Sequence, residues 1–177
     1  ETDPDDPAPI VLIGTWRNMS SDEIQMVRHA IEARGGWASW WSFPIREEFA
    51  DVLQDGFHLY LNSGGGSFPC RFWVEKYKTS RGNEGILTPW PDITDEEAKD
   101  VPRSGPSNAQ VFKSWLRVTQ VEEFDDPLTL DDFEPAPGTM RSALLNQSAF
   151  GYATLKKIHM RSRTSTSRTS KRAATGW

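Results

Sequence analysis

The chain has 177 residues, of which 37% are hydrophobic and 25% are charged, and its net charge is −5. This length and composition predict one globular domain with polar tails. No apolar run approaches the roughly 20 residues that cross a bilayer, and the N-terminus lacks the basic and apolar regions of a signal peptide, so we expect a cytoplasmic protein without membrane contact. The single cysteine, Cys70, excludes an internal disulfide and a cysteine-cluster metal site. We expect Cys70 to be a buried strand residue, and we expect no metal and no cofactor.

The first third of the chain predicts one strand and two helices. Ile10 to Gly14 is a short apolar run that is typical of a buried strand. Ser20 and Glu23 form a capping box, which predicts a helix that ends before Gly35. A shorter helix is predicted at about Glu47 to Leu53.

The stretch from Phe57 to Tyr77 predicts a β-hairpin. Apolar and polar residues alternate in its first part, its last part is rich in aromatic and β-branched residues, and Gly64 to Gly66 allow a tight connection between them. Phe112 to Val121 is the clearest later strand. An acidic loop is expected after it, with a helical turn at Leu128 to Phe133. Together these elements predict an α+β fold.

Charge is unevenly distributed along the chain. Seven of the 20 basic residues and none of the 25 acidic residues lie in residues 156–177, so residues 1–155 carry a net charge of −12. We therefore predict a disordered acidic tail at residues 1–9, a domain at residues 10–155 and a basic flexible tail or linker at residues 156–177. The acidic domain argues against a broad phosphate-binding face. The basic tail is expected to add affinity for nucleic acid without adding specificity, since it can neutralise phosphates but cannot recognise base edges.

Tryptophan is abundant, and seven of the eight residues of this type precede residue 156. A tryptophan within a strand, such as Trp73, is typical of a core, whereas one in a loop can be a wall for a flat ligand. Several of these tryptophans flank the glycine-rich hairpin. This grouping favours an aromatic pocket, although packing is the simpler interpretation for any single ring.

Three segments resemble EVE domains, which belong to the PUA-like superfamily together with YTH domains. They are the hairpin FHLYLNSGGGSFPCRFWVEKY, the strand SWLRVTQVEEFDDPLTLDDF and the segment SALLNQSAFGY, in this order. The pattern spans most of residues 10–155. The resemblance implies a small, strongly curved β-barrel with helices packed around it, which binds a modified base in an aromatic pocket.

The resemblance also implies the walls of this pocket. YTH domains have a pocket tryptophan shortly after the first helix in a Trp-x-Ser arrangement, and Trp40, Trp41 and Ser42 fall at that point. Trp90 occupies the position of the second wall, although two flanking prolines and the acids that follow depart from the pattern. Trp40 is predicted to lie outside the strands, at the mouth of the barrel.

Further residues are predicted to contact the nucleic acid around the pocket. Asn62 and Ser63 at the hairpin turn are candidates for the base edge, and each is equally typical of a turn residue. The candidates for contacts to the nucleic-acid backbone are Arg71, Lys113, Arg117, Asn146 and Gln147. The last two are equally typical of capping residues.

The resulting hypothesis is a binding domain that recognises a methylated or hydroxymethylated base, most simply cytosine, flipped out of double-stranded DNA. Some EVE domains are fused to nucleases or motor proteins of modification-dependent restriction systems, so a fused or associated nuclease is an expected partner. A protein-interaction or assembly module and a reader of modified RNA are the alternatives. An enzyme is disfavoured because no Gly-rich phosphate loop with a following lysine and no recognisable Ser, His and Asp set is present. No catalytic residue is predicted.

Overall fold

The structure, a computed structural model, describes residues 8–33, 35–79, 114–146 and 149–156. These residues form an α+β fold in which one mixed sheet of seven strands is combined with two α-helices. The strands are β1 (Ile10–Thr15), β2 (Ala38–Ser42), β3 (Phe57–Asn62), β4 (Ser67–Thr79), β5 (Ser114–Thr129), β6 (Phe133–Pro135) and β7 (Gly151–Leu155). The predictions for Trp90, Lys113 and Gln147 lie outside the described residues, as do the side chains of Trp41 and Ser42.

The two predicted helices are confirmed. Helix α1 (Ser21–Ala33) begins with the predicted capping box, in which the Glu23 N–H donates to Oγ of Ser20 at 3.3 Å and the Ser20 N–H donates to the Glu23 carboxylate at 3.4 Å. The chain then leaves the helix through Gly35 and Gly36, which both have positive φ angles. Helix α2 (Ala50–Leu53) continues a 3-10 turn that spans Glu47–Phe49.

The sheet has the strand order β2-β5-β4-β3-β1-β7-β6. All neighbouring strands are antiparallel except β1 and β3, which are parallel and align Thr15 with Asn62. The ends of β1 and β3 therefore lie side by side. The connection from β1 to α1 and the tip of the hairpin after β3 therefore meet at this end of the sheet.

The predicted hairpin is confirmed as β3 and β4, with Phe57 opposite Val74. At its tip Oδ1 of Asn62 accepts hydrogen bonds from the Gly64 N–H at 3.0 Å and the Gly66 N–H at 3.2 Å. All three tip glycines have positive φ angles, which side chains rarely tolerate. Cys70 is fully buried on β4 as predicted, and burial raises the pKa of its thiol.

Strand β5 corrects one prediction, because the expected acidic loop after Val121 is strand as far as Thr129. Its buried residues include Phe124 and Leu128, while the acidic side chains of Asp125 and Asp126 are exposed. Shifts in the register with β4 interrupt the regular alternation. The predicted helical turn follows as a 3-10 turn at Leu130–Asp132.

Buried side chains form two clusters, and strand alternation separates them. Along β3, Leu59 and Leu61 belong to one cluster and Tyr60 to the other. The helix-side cluster includes Trp16, Ile24, Val27, Trp40, Leu59, Leu61 and Phe72. The opposite cluster includes Val11, Ile13, Tyr60, Phe68, Phe124, Phe133 and Leu155.

Candidate nucleic-acid interface

Trp40 lies in the helix-side cluster and not at an open end of the fold. It is on β2 opposite Leu116 of β5, and only 5% of its surface is exposed. Its ring centroid is 4.9 Å from that of Trp16, with the planes tilted by 54°, and 5.3 Å from that of Phe72. The prediction that Trp40 lies outside the strands is therefore wrong. The glycine stop of α1 is followed directly by a strand, because residues 38–42 pair with residues 114–118.

Trp16 covers Trp40 from the segment between β1 and α1, which we call the tryptophan loop (residues 16–20). The Trp16 N–H donates to the backbone oxygen of Asn62 at 2.9 Å, and the Asn18 N–H donates to that of Ser63 at 2.9 Å. Asn18 has φ 59°, a left-handed conformation that asparagine adopts more readily than most residues. These bonds fix the backbone of the loop beside the hairpin tip.

Two neighbours of Trp16 on this loop face solvent. Arg17 and Asn18 are exposed, whereas Trp16 is 6% exposed. Our sequence prediction counted Trp16 among the tryptophans but assigned none of these three residues to the site. The feature of the sequence that could have pointed to these residues is Trp-Arg-Asn at positions 16–18, between a buried strand and a capping box.

The structure brings together only some of the predicted pocket residues. Ser63 lies beside the tryptophan loop, whose Trp16 contacts Trp40. The backbone of Asn62 is also there, but alternation along β3 directs its side chain to the face opposite Trp40. Its Oδ1 atom is occupied by the two glycine N–H groups of the tip. Asn62 thus acts as a turn residue, the alternative that the sequence left open, and its Oδ1 atom is engaged within the hairpin tip.

Arg71 is held in a buried polar cluster on the opposite face. Its Nε atom is 2.6 Å from Oε2 of Glu122, and its Nη1 atom donates to the Tyr60 hydroxyl at 2.9 Å. The side chains of Arg71 and Glu122 are only 18% and 13% exposed. Burial alone would lower the pKa of Arg71, but Tyr60 and Glu122 outweigh this effect and raise it. Glu122 already neutralises this largely buried guanidinium group, so the structure disfavours the predicted contact with phosphate.

Arg117 is engaged in a similar way. Its Nε atom lies 2.9 Å from Oε1 of Glu75, and its guanidinium group lies 4.0 Å from the ring centroid of Trp37. This stacking on an aromatic face is a cation–π contact. With 14% of its side chain exposed, Arg117 is also a poor partner for phosphate. Asn146 is exposed and follows the 3-10 turn at Arg141–Ala143.

His58 and Trp73 extend the polar cluster on the opposite face. They are paired across β3 and β4, and their ring centroids are 4.8 Å apart. Burial, together with the positive charge of Arg71, lowers the pKa of His58 to about 4, so the imidazole is neutral at pH 7. Its Nδ1 atom is buried without a hydrogen-bond partner.

A shallow open groove of about 260 Å³ lies between α1 and β5. It is lined by Arg28, Ile31, Glu32, Thr119, Gln120 and Val121. None of these six residues is aromatic, so the groove offers no stacking surface for a base.

The described residues contain no group of three or more His, Cys, Asp or Glu side chains that could hold a metal ion. Of the helices in the described ranges, none combines the length and the apolar character needed to cross a bilayer. Comparison of the chain with protein-family models, with curated proteins and with solved structures gives no match.

Proposed function

We propose that this chain is a PUA-like domain of the EVE type that binds a flipped, methylated or hydroxymethylated base of double-stranded DNA at the tryptophan loop. The observation that carries the proposal is the contact between Trp16 and Trp40 beside a glycine-rich hairpin tip. Stacking a base on aromatic rings contributes about 1 to 3 kcal/mol, which offsets the few kcal/mol that flipping costs.

The base enters by replacing the contact between the two rings. A base held between two parallel rings needs roughly 7 Å between them, twice the usual carbon–carbon contact distance. The centroids of Trp16 and Trp40 are 4.9 Å apart, so one ring must turn away. In this proposal Trp16 is the ring that moves, because it lies on a loop, whereas Trp40 lies within β2 and also packs against Phe72. The hydrogen bonds to Asn62 and Ser63 hold the backbone of the loop, so the opening would be a rotation of the Trp16 side chain out of the helix-side cluster.

Asn18 takes the role at the base edge that the sequence suggested for Asn62. Its side-chain amide offers both a donor and an acceptor, and its side chain is exposed next to Trp16. Such a polar group is needed for selectivity, because an added methyl in an apolar pocket is worth only about 1 to 3 kcal/mol.

In this proposal the domain supplies specificity and not catalysis. A fused or associated nuclease would cleave the DNA that the domain has selected, as in modification-dependent restriction systems. The basic residues that follow position 155 would strengthen binding to any DNA through their charge.

Substitution of single tryptophans by phenylalanine tests the proposal. Fluorescence anisotropy would compare labelled duplexes that carry one 5-methylcytosine, one 5-hydroxymethylcytosine or only cytosine. We expect Trp16→Phe and Trp40→Phe to weaken binding of the preferred modified duplex roughly fivefold, because the smaller ring stacks less well. Trp73→Phe is the matched control, since Trp73 lies on the opposite face of the sheet, and it should bind like the parent.

Three results would contradict the proposal. A parent protein that binds the three duplexes equally would exclude a reader of these bases in DNA, and the same assay with methylated single-stranded RNA would then test the RNA alternative. If Trp73→Phe weakened binding as much as Trp40→Phe, the base would not stack at the tryptophan loop. A parent that bound none of these nucleic acids would favour an assembly module.

A further inference from the structure

We infer that the hairpin tip, flanked by Arg17 and Arg141, binds the phosphate backbone of the DNA strand that carries the recognised base. This inference rests on the proposed function and replaces the contacts predicted for Arg71 and Arg117. It assigns the backbone contacts to the end of the sheet where the tryptophan loop lies.

The backbone of the hairpin tip is open to a ligand. Gly64 and Gly65 are exposed, and a Cβ atom built on either residue would have no heavy atom within 4 Å. Among the described residues, no acceptor bonds the Gly65 N–H, whereas Asn62 accepts from the N–H groups of Gly64 and Gly66. Backbone N–H groups in turns are among the donors that bind anions in proteins. The Gly65 N–H is thus available for a phosphate oxygen.

Arg17 belongs to the tryptophan loop, whose backbone is hydrogen-bonded beside this tip. Its neighbour Asn18 donates its N–H to the backbone oxygen of Ser63, the residue before the glycines. Arg17 is exposed, and within the described ranges no ion pair or hydrogen bond occupies its guanidinium group. It also follows Trp16 directly, so a phosphate bound by Arg17 would be close to a base at the tryptophan loop.

Arg141 belongs to a segment that lies near the tip. A Cβ atom built on Gly66 would be 3.7 Å from side-chain atoms of both Leu130 and Leu145, which belong to the segments around Asp131 and Arg141. The Nη2 atom of Arg141 is 3.1 Å from Oδ1 of Asp131, and the two side chains are 48% and 88% exposed. An ion pair this exposed contributes little, so a phosphate can replace the carboxylate.

The acidic surroundings restrict this contact to a few phosphates. Residues 1–155 carry a net charge of −12, which opposes a broad DNA-binding face. A pair of arginines around a backbone N–H needs no such face. The salt dependence of binding should therefore correspond to a small number of displaced counterions.

Anisotropy measurements at several salt concentrations test the inference, with the same modified and unmodified labelled duplexes. We expect Arg17→Gln and Arg141→Gln each to weaken binding of both duplexes roughly tenfold, because each removes one charged hydrogen bond. Their ratio of affinities should stay unchanged, since phosphate contacts carry no base information. The slope of log K against log salt should become shallower by about 0.9 for each lost contact.

Arg46→Gln is the matched control. The Arg46 side chain is 46% exposed and paired with Glu48, much as Arg141 is paired with Asp131, but it lies over the rings of Phe49 and Tyr152. The control should bind like the parent, and Arg17→Lys should keep most of the affinity because it keeps the charge. Thermal melting of each variant would show that these exposed substitutions leave the fold intact.

Three outcomes would overturn the inference. If the parent prefers modified DNA and both arginine variants bind like Arg46→Gln, the phosphate site is wrong and the reader function stands. If a variant loses affinity for the modified duplex alone, the arginine contacts the base and not the backbone. A parent that binds no DNA would reject both this site and the proposed function.

Discussion

The two faces of the sheet hold their aromatic side chains in different ways. On the helix side, Trp40 packs against the rings of Trp16 and Phe72. On the opposite face, Tyr60 is joined to Arg71, which is in turn paired with Glu122. In the proposed function the contact between Trp16 and Trp40 is exchanged for a base, so that one flat aromatic surface replaces another. A buried ion pair cannot open in this way without leaving a charge unpaired.

This difference assigns separate roles to the two faces. The helix side has an aromatic contact next to an exposed loop, which makes it the candidate for ligand binding. The polar cluster on the opposite face is suited to fixing β3, β4 and β5 relative to one another, since His58, Arg71 and Glu122 come from these three strands. Three pairs of substitutions can test whether the faces differ as described.

The largest effect is expected for Trp40→Ala. Truncation of a buried tryptophan typically costs about 3 to 5 kcal/mol, and Trp40 is 5% exposed within the helix-side cluster. Trp73→Ala should cost less, because the Trp73 ring is half-buried. Urea denaturation of both variants would measure the free energy of unfolding. Equal costs for the two substitutions would show that the helix side is not packed as described.

The next effect is a dependence of stability on pH that originates in the polar cluster. Folding lowers the pKa of His58 from 6.5 to about 4, mainly through burial. Between pH 6.5 and pH 4 the unfolded chain therefore binds a proton that the folded chain does not bind. The His58 contribution is complete above pH 6.5, and the free energy of unfolding should fall by about 3 kcal/mol as the pH decreases to about 4.

His58→Gln should remove this part of the pH dependence, as measured by urea denaturation from pH 7 to pH 4. His29→Gln is the control, because the His29 side chain is 77% exposed on α1. Parallel pH profiles for the parent and His58→Gln would mean that the imidazole is not buried in the neutral form.

The smallest expected effect is the difference in stability between removing a largely buried arginine and removing an exposed one. Arg71→Gln leaves Glu122 without its partner in a largely buried position and should cost about 2 kcal/mol, less than the loss of a fully buried ion pair. Arg141→Gln breaks an exposed pair and should cost less than about 1 kcal/mol. Thermal or urea unfolding of both variants measures the difference. If Arg71→Gln were as stable as Arg141→Gln, the Arg71–Glu122 pair would not hold the strands together.

Much of the local structure could be predicted from the sequence. The capping box at Ser20 and Glu23, the glycine stop of α1 and the glycine-rich hairpin depend on residues within a few positions of one another. Their hydrogen bonds and φ angles are set by the chemistry of those residues. The sequence likewise determined that Cys70 would be buried in a strand and that the fold would be α+β.

Tertiary structure alone decided which of the candidate site residues could meet. Trp40 became a strand residue because residues 38–42 pair with a segment more than 70 positions later. Arg71 became unavailable because its partner Glu122 is 51 positions away and lies opposite it only in the folded sheet. Asn62 and Trp40 were separated because a sheet directs successive side chains to opposite faces, and the sequence does not say which face Trp40 shares. Such pairings depend on the register of strands that are far apart in the chain, and no local pattern of residues specifies this register.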